Sequence, residues 1–220
     1  KESSRINFGC CLTRNPKFNS FVMLIYLYFI LLTMYVSLAA AVFDWKLANV
    51  SVELSRLAYC EDTEATLHSN IAHIPKDLTI LTNMLGTKGF VAKSISESTI
   101  YVVYAGTDKI LDWVVDFDAE LVKYDGCDEC EVHQGFQVTE KFGFPLVLFE
   151  VSLQKFMHPS YSVVVAGHSK GAAEATIAAA DFIDAGIPDI FLVNFGSPRV
   201  GNTAFAEFVS SHVKNHYRVT

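Results

Sequence analysis

Apolar and polar positions divide the chain into one long apolar run followed by segments that switch between helical and strand periodicity. Residues 21–43 read FVMLIYLYFILLTMYVSLAAAVF, broken only by Thr33 and Ser37. Roughly 20 such residues can cross a bilayer. Beyond this run, Leu47, Val50, Leu54, Leu57 and Ala58 recur at helical spacing and predict an amphipathic helix over 45–60. A loop-rich stretch follows to Lys76, and 90–95 and 99–104 then read as two strands. Residues 136–157 are mostly apolar, with helical spacing at Phe142, Leu146, Phe149 and Leu153 and with Pro145 inside, where a proline kinks or splits a helix. The short run 161–166, YSVVVA, suits a strand buried on both faces. An alanine-rich helix over 172–185 and a buried strand over 190–194 come next. Strand, turn, helix, strand is a βαβ unit and implies a parallel sheet.

Charge and flanks refine this picture. The net charge is −7, with Lys and Arg scattered singly, so no basic stripe is available for nucleic acid. Arg5, Arg14 and Lys17 precede the apolar run, and Ala39-Ala40-Ala41 offers a signal-peptidase site. Two secretory readings stand, a cleaved signal peptide with 1–20 as its n-region or an uncleaved anchor over 21–43 with 1–20 cytoplasmic; a buried core helix is the plainer alternative, but nothing before the run could cover it. Either secretory reading places the 45–220 domain on the non-cytoplasmic side, luminal or secreted. Of five cysteines, Cys60, Cys127 and Cys130 then lie in an oxidising compartment, where one disulfide and one leftover thiol are expected. Cys127 and Cys130 have the spacing of half a zinc site, but no second ligand pair accompanies them; no metal or other cofactor is expected. Asn49-Val50-Ser51 is the one glycosylation sequon.

The chemistry concentrates at Gly167-His168-Ser169-Lys170-Gly171, between the 161–166 strand and the alanine helix. A serine on a sharp strand-to-helix turn projects its Oγ above the sheet edge, and Gly167 and Gly171 let strand and helix backbones approach closely. The first N–H groups of the helix are free and carry partial positive charge, so the Lys170 N–H is placed to donate to an oxyanion. Ser169 is therefore the candidate nucleophile. His168 is read as support, because neighbouring side chains on so tight a turn diverge.

Four blocks in order carry a resemblance: Tyr101-Val-Val-Tyr-Ala-Gly-Thr-Asp108 with Asp112, Trp113 and Asp116; Val132-His-Gln-Gly-Phe136; Val165-Ala-Gly-His-Ser-Lys-Gly171; and Asn194-Phe-Gly-Ser-Pro-Arg-Val-Gly-Asn202. Residues 45–220 resemble the class 3 lipase family, the fungal-lipase-like branch of the α/β-hydrolases. The resemblance implies an α/β-hydrolase fold with a mostly parallel central sheet, incomplete at its C-terminal end. It also implies a carboxylic-ester hydrolase acting on lipid through an acyl-enzyme, with Thr107 as the second oxyanion donor. A helical lid over 108–121 would carry Trp113 at a lipid interface; an ordinary surface helix is the plainer reading. Where the family commonly has Arg, this chain has Ala105, which removes a hydrogen-bonding side chain from the oxyanion loop. Where the family commonly has Leu, it has Lys170, which alters the charge of the entrance. The family's acid closely follows an Arg-Val-Thr strand and its histidine lies further on, so both are expected beyond Thr220, and none of Asp181, Asp184, Asp189, His212 and His216 is assigned to the triad. Alternatives are a soluble-ester, feruloyl-type esterase and a non-catalytic lipid-binding protein or gene fragment on the same scaffold.

Overall fold

Runs rich in β-branched and aromatic residues become strands, where their stiff side chains pack well on a pleated surface. In the computed structural model, which describes residues 43–67, 72–107, 120–213 and 215–220, these are β1 (Thr79–Asn83), β2 (Gly89–Ser94), β3 (Thr99–Tyr104), β4 (Leu121–Lys123), β5 (Glu131–His133), β6 (Ser162–His168), β7 (Ile190–Phe195) and β8 (Asn215–Val219). Six of them form one sheet in the order β1-β2-β3-β6-β7-β8, while β4 and β5 make a separate hairpin. β1, β2 and β3 pair antiparallel, whereas β3, β6, β7 and β8 run parallel. The C-terminal ends of β3, β6, β7 and β8 therefore share one edge.

Helices α1 (Trp45–Leu57), α2 (Thr63–Leu67), α3 (Gln134–Met157), α4 (Lys170–Asp184) and α5 (Thr203–His212) accompany the sheet. Asp44 caps α1 by accepting from Leu47 N–H at 3.0 Å. α1 then lays Val50, Leu54 and Leu57 on Tyr101, Val103, Val164 and Val193. On the opposite face α3, α4 and α5 pack Phe136, Val147, Ile177, Phe182 and Phe205 against Val102, Val163, Val165 and Leu192. β6 is thus covered on both faces, as its continuous apolar run requires. Asp44–Thr220 form one compact unit.

Three expectations change. Pro145 does not split α3, which runs unbroken for 24 residues. The buried stripe of α3 is not the apolar set Phe142, Leu146, Phe149 and Leu153. It is Phe136, Gln137, Glu140, Gly143, Val147, Val151 and Gln154, and Phe142 and Phe149 are exposed. Leu121 opens a strand instead of ending a lid helix. Residues 108–119 of the expected lid, Trp113 included, and the 21–43 run apart from Phe43 lie outside the described residues. Among the described residues no helix is long and apolar enough to cross a membrane. Cys127 and Cys130 are joined as a disulfide and Cys60 is free, which removes the half-zinc alternative for that pair.

Candidate active site

β6 ends at His168 and α4 begins at Lys170, which leaves one residue, Ser169, to turn the chain. Its backbone sits at φ 55°, ψ −123°, a region that side-chain-bearing residues occupy only when their surroundings enforce it. Those surroundings are visible. Ser169 N–H donates to the Phe195 carbonyl at 2.9 Å, and the Ser169 carbonyl accepts from Ala172 and Ala173. The Ser169 side chain makes no capping bond to the helix it precedes.

The two neighbouring glycines are demanded by space. A Cβ on Gly171 would lie 2.4 Å from the Tyr104 carbonyl oxygen, and one on Gly167 would lie 2.3 Å from that of Gly171. The first turn of α4 is therefore pressed onto the ends of both β6 and β3. Gly106, which continues from β3, is held in the same cluster: a Cβ there would lie 2.8 Å from the His168 carbonyl oxygen and 2.1 Å from the Tyr59 hydroxyl. Thr107 is the next residue, so the two candidate oxyanion donors follow two backbones in direct contact.

Tyr59, just past the end of α1, was not legible as a site residue in the sequence. Its hydroxyl lies 2.7 Å from His168 Nδ1 and against Gly106. His168 thus turns toward Tyr59, just past the end of α1. Lys170 corrects an expectation about charge. Its side chain turns into the protein and pairs with Glu174, a fully buried residue of the same helix, so the ammonium is neutralised where it was expected to alter the entrance. Glu174 also accepts from Thr87 Oγ1 at 2.9 Å and from Thr139 Oγ1.

The second and fourth blocks prove to be one structural joint. His133 caps α3, its Nδ1 accepting from Gly135 N–H at 3.0 Å, and its backbone N–H donates to Val200. Burial holds the His133 pKa below the usual value for a histidine. Asn202 caps α5 by accepting from Phe205 N–H and also accepts from Glu131 N–H. Asn194 donates to Thr176 Oγ1 at 2.9 Å, which ties β7 to α4. His212 bonds within its own helix, to the Phe208 carbonyl. His216 pairs with Leu192, whereas Phe195, the acceptor for Ser169 N–H, pairs with Val219; three residues of strand separate the levels, about 10 Å. Burial, then the Arg218 charge, lowers the His216 pKa. Arg218 itself donates to the Ser197 carbonyl at 2.8 Å.

A strained serine between a parallel strand and a helix N-terminus, at the carboxyl edge of such a sheet, defines the α/β-hydrolase fold. Comparison with known proteins agrees. The family model described as Lipase (class 3) matches residues 101–220. The secreted mono- and diacylglycerol lipase A of Penicillium cyclopium is 32% identical over 161 residues, which cover 73% of this chain and 51% of that protein. A Rhizomucor miehei lipase is 35% identical over 170 residues, 72% of this chain and 46% of that one. Among solved structures, a triacylglycerol lipase whose catalytic centre is described as a serine protease triad superposes with a TM-score of 0.70 at 31% identity, covering 78% of this chain and 68% of that chain. The chain belongs to the class 3 lipase family. It spans about half the length of the curated relatives it matches.

Proposed function

We propose that this chain carries the nucleophile and oxyanion site of a serine carboxylic-ester hydrolase that acts on lipid esters. Ser169 attacks the acyl carbonyl. The N–H groups of Lys170 and Thr107, with the Thr107 hydroxyl, receive the developing oxyanion, and water then releases the acyl group. The observation that carries this reading is the strained Ser169 at the head of α4, with the β3 end packed against the same turn. Relatives named as mono- and diacylglycerol lipases support lipid as the substrate class. The general base is assigned to none of the described histidines.

The domain is read as luminal or secreted, with 21–43 as signal or anchor, 1–20 preceding it, and 108–121 as a lid that brings Trp113 to a lipid interface. The Cys127–Cys130 disulfide and the secreted relatives support that compartment. Asn49 is exposed on α1 while Ser51 is fully buried, so a glycan there is added before α1 docks.

The test uses the natural full-length gene product, made through a secretory route and treated with an alkyl phosphonate. Labelling of wild type and none of Ser169→Ala is the expected result. Equal labelling of the two proteins overturns the assignment; no labelling, with lipid binding retained, favours a non-catalytic lipid binder.

A further inference from the structure

We infer that Glu174 is a positioning residue that sets the separation of the two oxyanion donors, acting through Lys170 and Thr87. The inference rests on the reading of Lys170 and Thr107 as those donors. Glu174 is wholly buried in the second turn of α4, among alanines, and its carboxylate gathers donors from three elements. Lys170 comes from the first turn of the same helix, Thr139 from the first turns of α3, and Thr87 from the turn joining β1 to β2.

Two of these donors lead directly into the site. Lys170 follows Ser169, and its own backbone N–H is one candidate oxyanion donor. Thr87 precedes Lys88, whose carbonyl accepts the Ala105 N–H at 2.9 Å, two residues before Thr107. A single carboxylate therefore grips the helix that carries one donor and the hairpin that holds the strand carrying the other. Thr139 fixes the carboxylate from the side: its hydroxyl also reaches the Gly135 carbonyl at 3.0 Å.

Stability alone does not account for this arrangement. A lysine in the first turn of a helix opposes the helix dipole. A buried ion pair is also often no more stabilising than the apolar pair that could replace it. What the pair supplies is directional: hydrogen bonds fix distances that packed methyl groups leave loose. Oxyanion stabilisation depends on donor placement, since a misplacement of about 1 Å costs on the order of 100-fold in rate.

The experiment compares the natural full-length protein with Thr87→Val, Thr87→Ser and the paired replacement Lys170→Leu with Glu174→Leu, by thermal melting, phosphonate labelling rate and hydrolysis of a short-chain nitrophenyl ester. For the paired variant, kcat and the labelling rate are expected to fall about 10- to 100-fold with KM within about twofold and a melting point close to the parent's. Thr87→Val should lower kcat several-fold and Thr87→Ser should restore it. A paired variant that folds and keeps parental kcat overturns the inference. If the pair does not fold, Thr87→Val decides it: parental kcat there overturns the inference, and loss rescued by serine supports it. A parent not labelled at Ser169 overturns the underlying reading as well, whereas a labelled parent matched by its variants sinks the positioning role alone.

Discussion

Two glutamates, Glu174 on α4 and Glu140 on α3, are both wholly buried on the same face of the sheet, yet the protein neutralises them differently. Glu174 is met by an ammonium and two hydroxyls. No ammonium or hydroxyl bonds either buried oxygen of Glu140 among the described residues; its carboxyl is bonded instead to the Asp181 carboxylate. Burial, and then the Asp181 carboxylate beside it, push the Glu140 pKa up to about 10, so it is a neutral acid at physiological pH. The Tyr104 hydroxyl is buried nearby with no hydrogen-bond partner among the described residues, and Tyr124 donates to Asp181 at 2.7 Å. A cation compensates the carboxylate next to the oxyanion loop; a proton compensates the one deeper between α3 and α4. A proton costs no extra side chain, but it leaves stability dependent on pH.

Removing the cation tests the first half of this contrast most severely. Lys170→Met leaves Glu174 buried with only two hydroxyls, and breaking one side of a buried pair costs about 3–5 kcal/mol. Urea unfolding at pH 8 should show a loss in that range. A loss below about 1 kcal/mol would mean that Thr87 and Thr139 suffice, and the two glutamates would no longer differ in kind.

That contrast also marks where sequence reading reaches and where it stops. The strands 99–104 and 161–166, the elbow and α4 were legible because their residues are apolar, β-branched or alanine in runs whose length and turn residues leave little choice. The buried face of α3 was not. Its inward positions include Gln137, Glu140 and Gln154, while Phe142 and Phe149 point outward, so polarity there predicts the opposite face. The four short segments β1, β4, β5 and α2 carry too few residues for periodicity to speak. β8, which holds His216, has no apolar alternation of its own, and its pairing with β7 is what makes it a strand. Among site residues, Ser169, Gly167 and Gly171 follow from local chain geometry. Tyr59, Thr87 and Glu174 do not, because contacts 87 to 109 residues apart in sequence bring them to the elbow. One signal did exist: a lone Glu four residues after Lys170, on a helix otherwise lined with alanine, marks a charge the fold has to bury.

The second half of the contrast predicts the reverse sign. Glu140→Met replaces a buried carboxyl that no ammonium or hydroxyl bonds with an apolar side chain of similar volume and should stabilise the protein by roughly 1–3 kcal/mol at pH 8. Its pH dependence follows from linkage. The unfolded chain releases this proton near 4.5 and the folded protein keeps it to about 10, so between those values the unfolded state binds fewer protons. The group's contribution to stability therefore falls as pH rises through that window, by up to about 1.4 kcal/mol per pH unit. The wild-type minus variant difference, measured by urea unfolding at pH 5, 7 and 9, should grow steadily. A flat difference would mean that Glu140 is ionised in the folded state and has a cation after all.

The smallest expected effect is the one that separates a proton held by the pair from a proton held by Glu140 alone. Tyr124→Phe removes the hydroxyl that donates to Asp181 and leaves the ring, which packs edge-on against Phe205 at a centroid distance of 5.1 Å. Asp181 loses its hydroxyl donor and keeps only the bond from Glu140, so its carboxylate becomes less able to stay charged. The nearest remedy is the Glu140 proton, which can move across to Asp181 without leaving the protein. The lost bond should then cost only about 1.5 kcal/mol, the low end for a hydrogen bond to a charged group. Because the number of bound protons is unchanged, the whole stability curve should shift down in parallel between about pH 6 and 9, unlike the changing slope expected for Glu140→Met. A Tyr124→Phe variant whose loss grows toward high pH would show that Asp181 takes its proton from solvent, and the two acids would then titrate as separate sites.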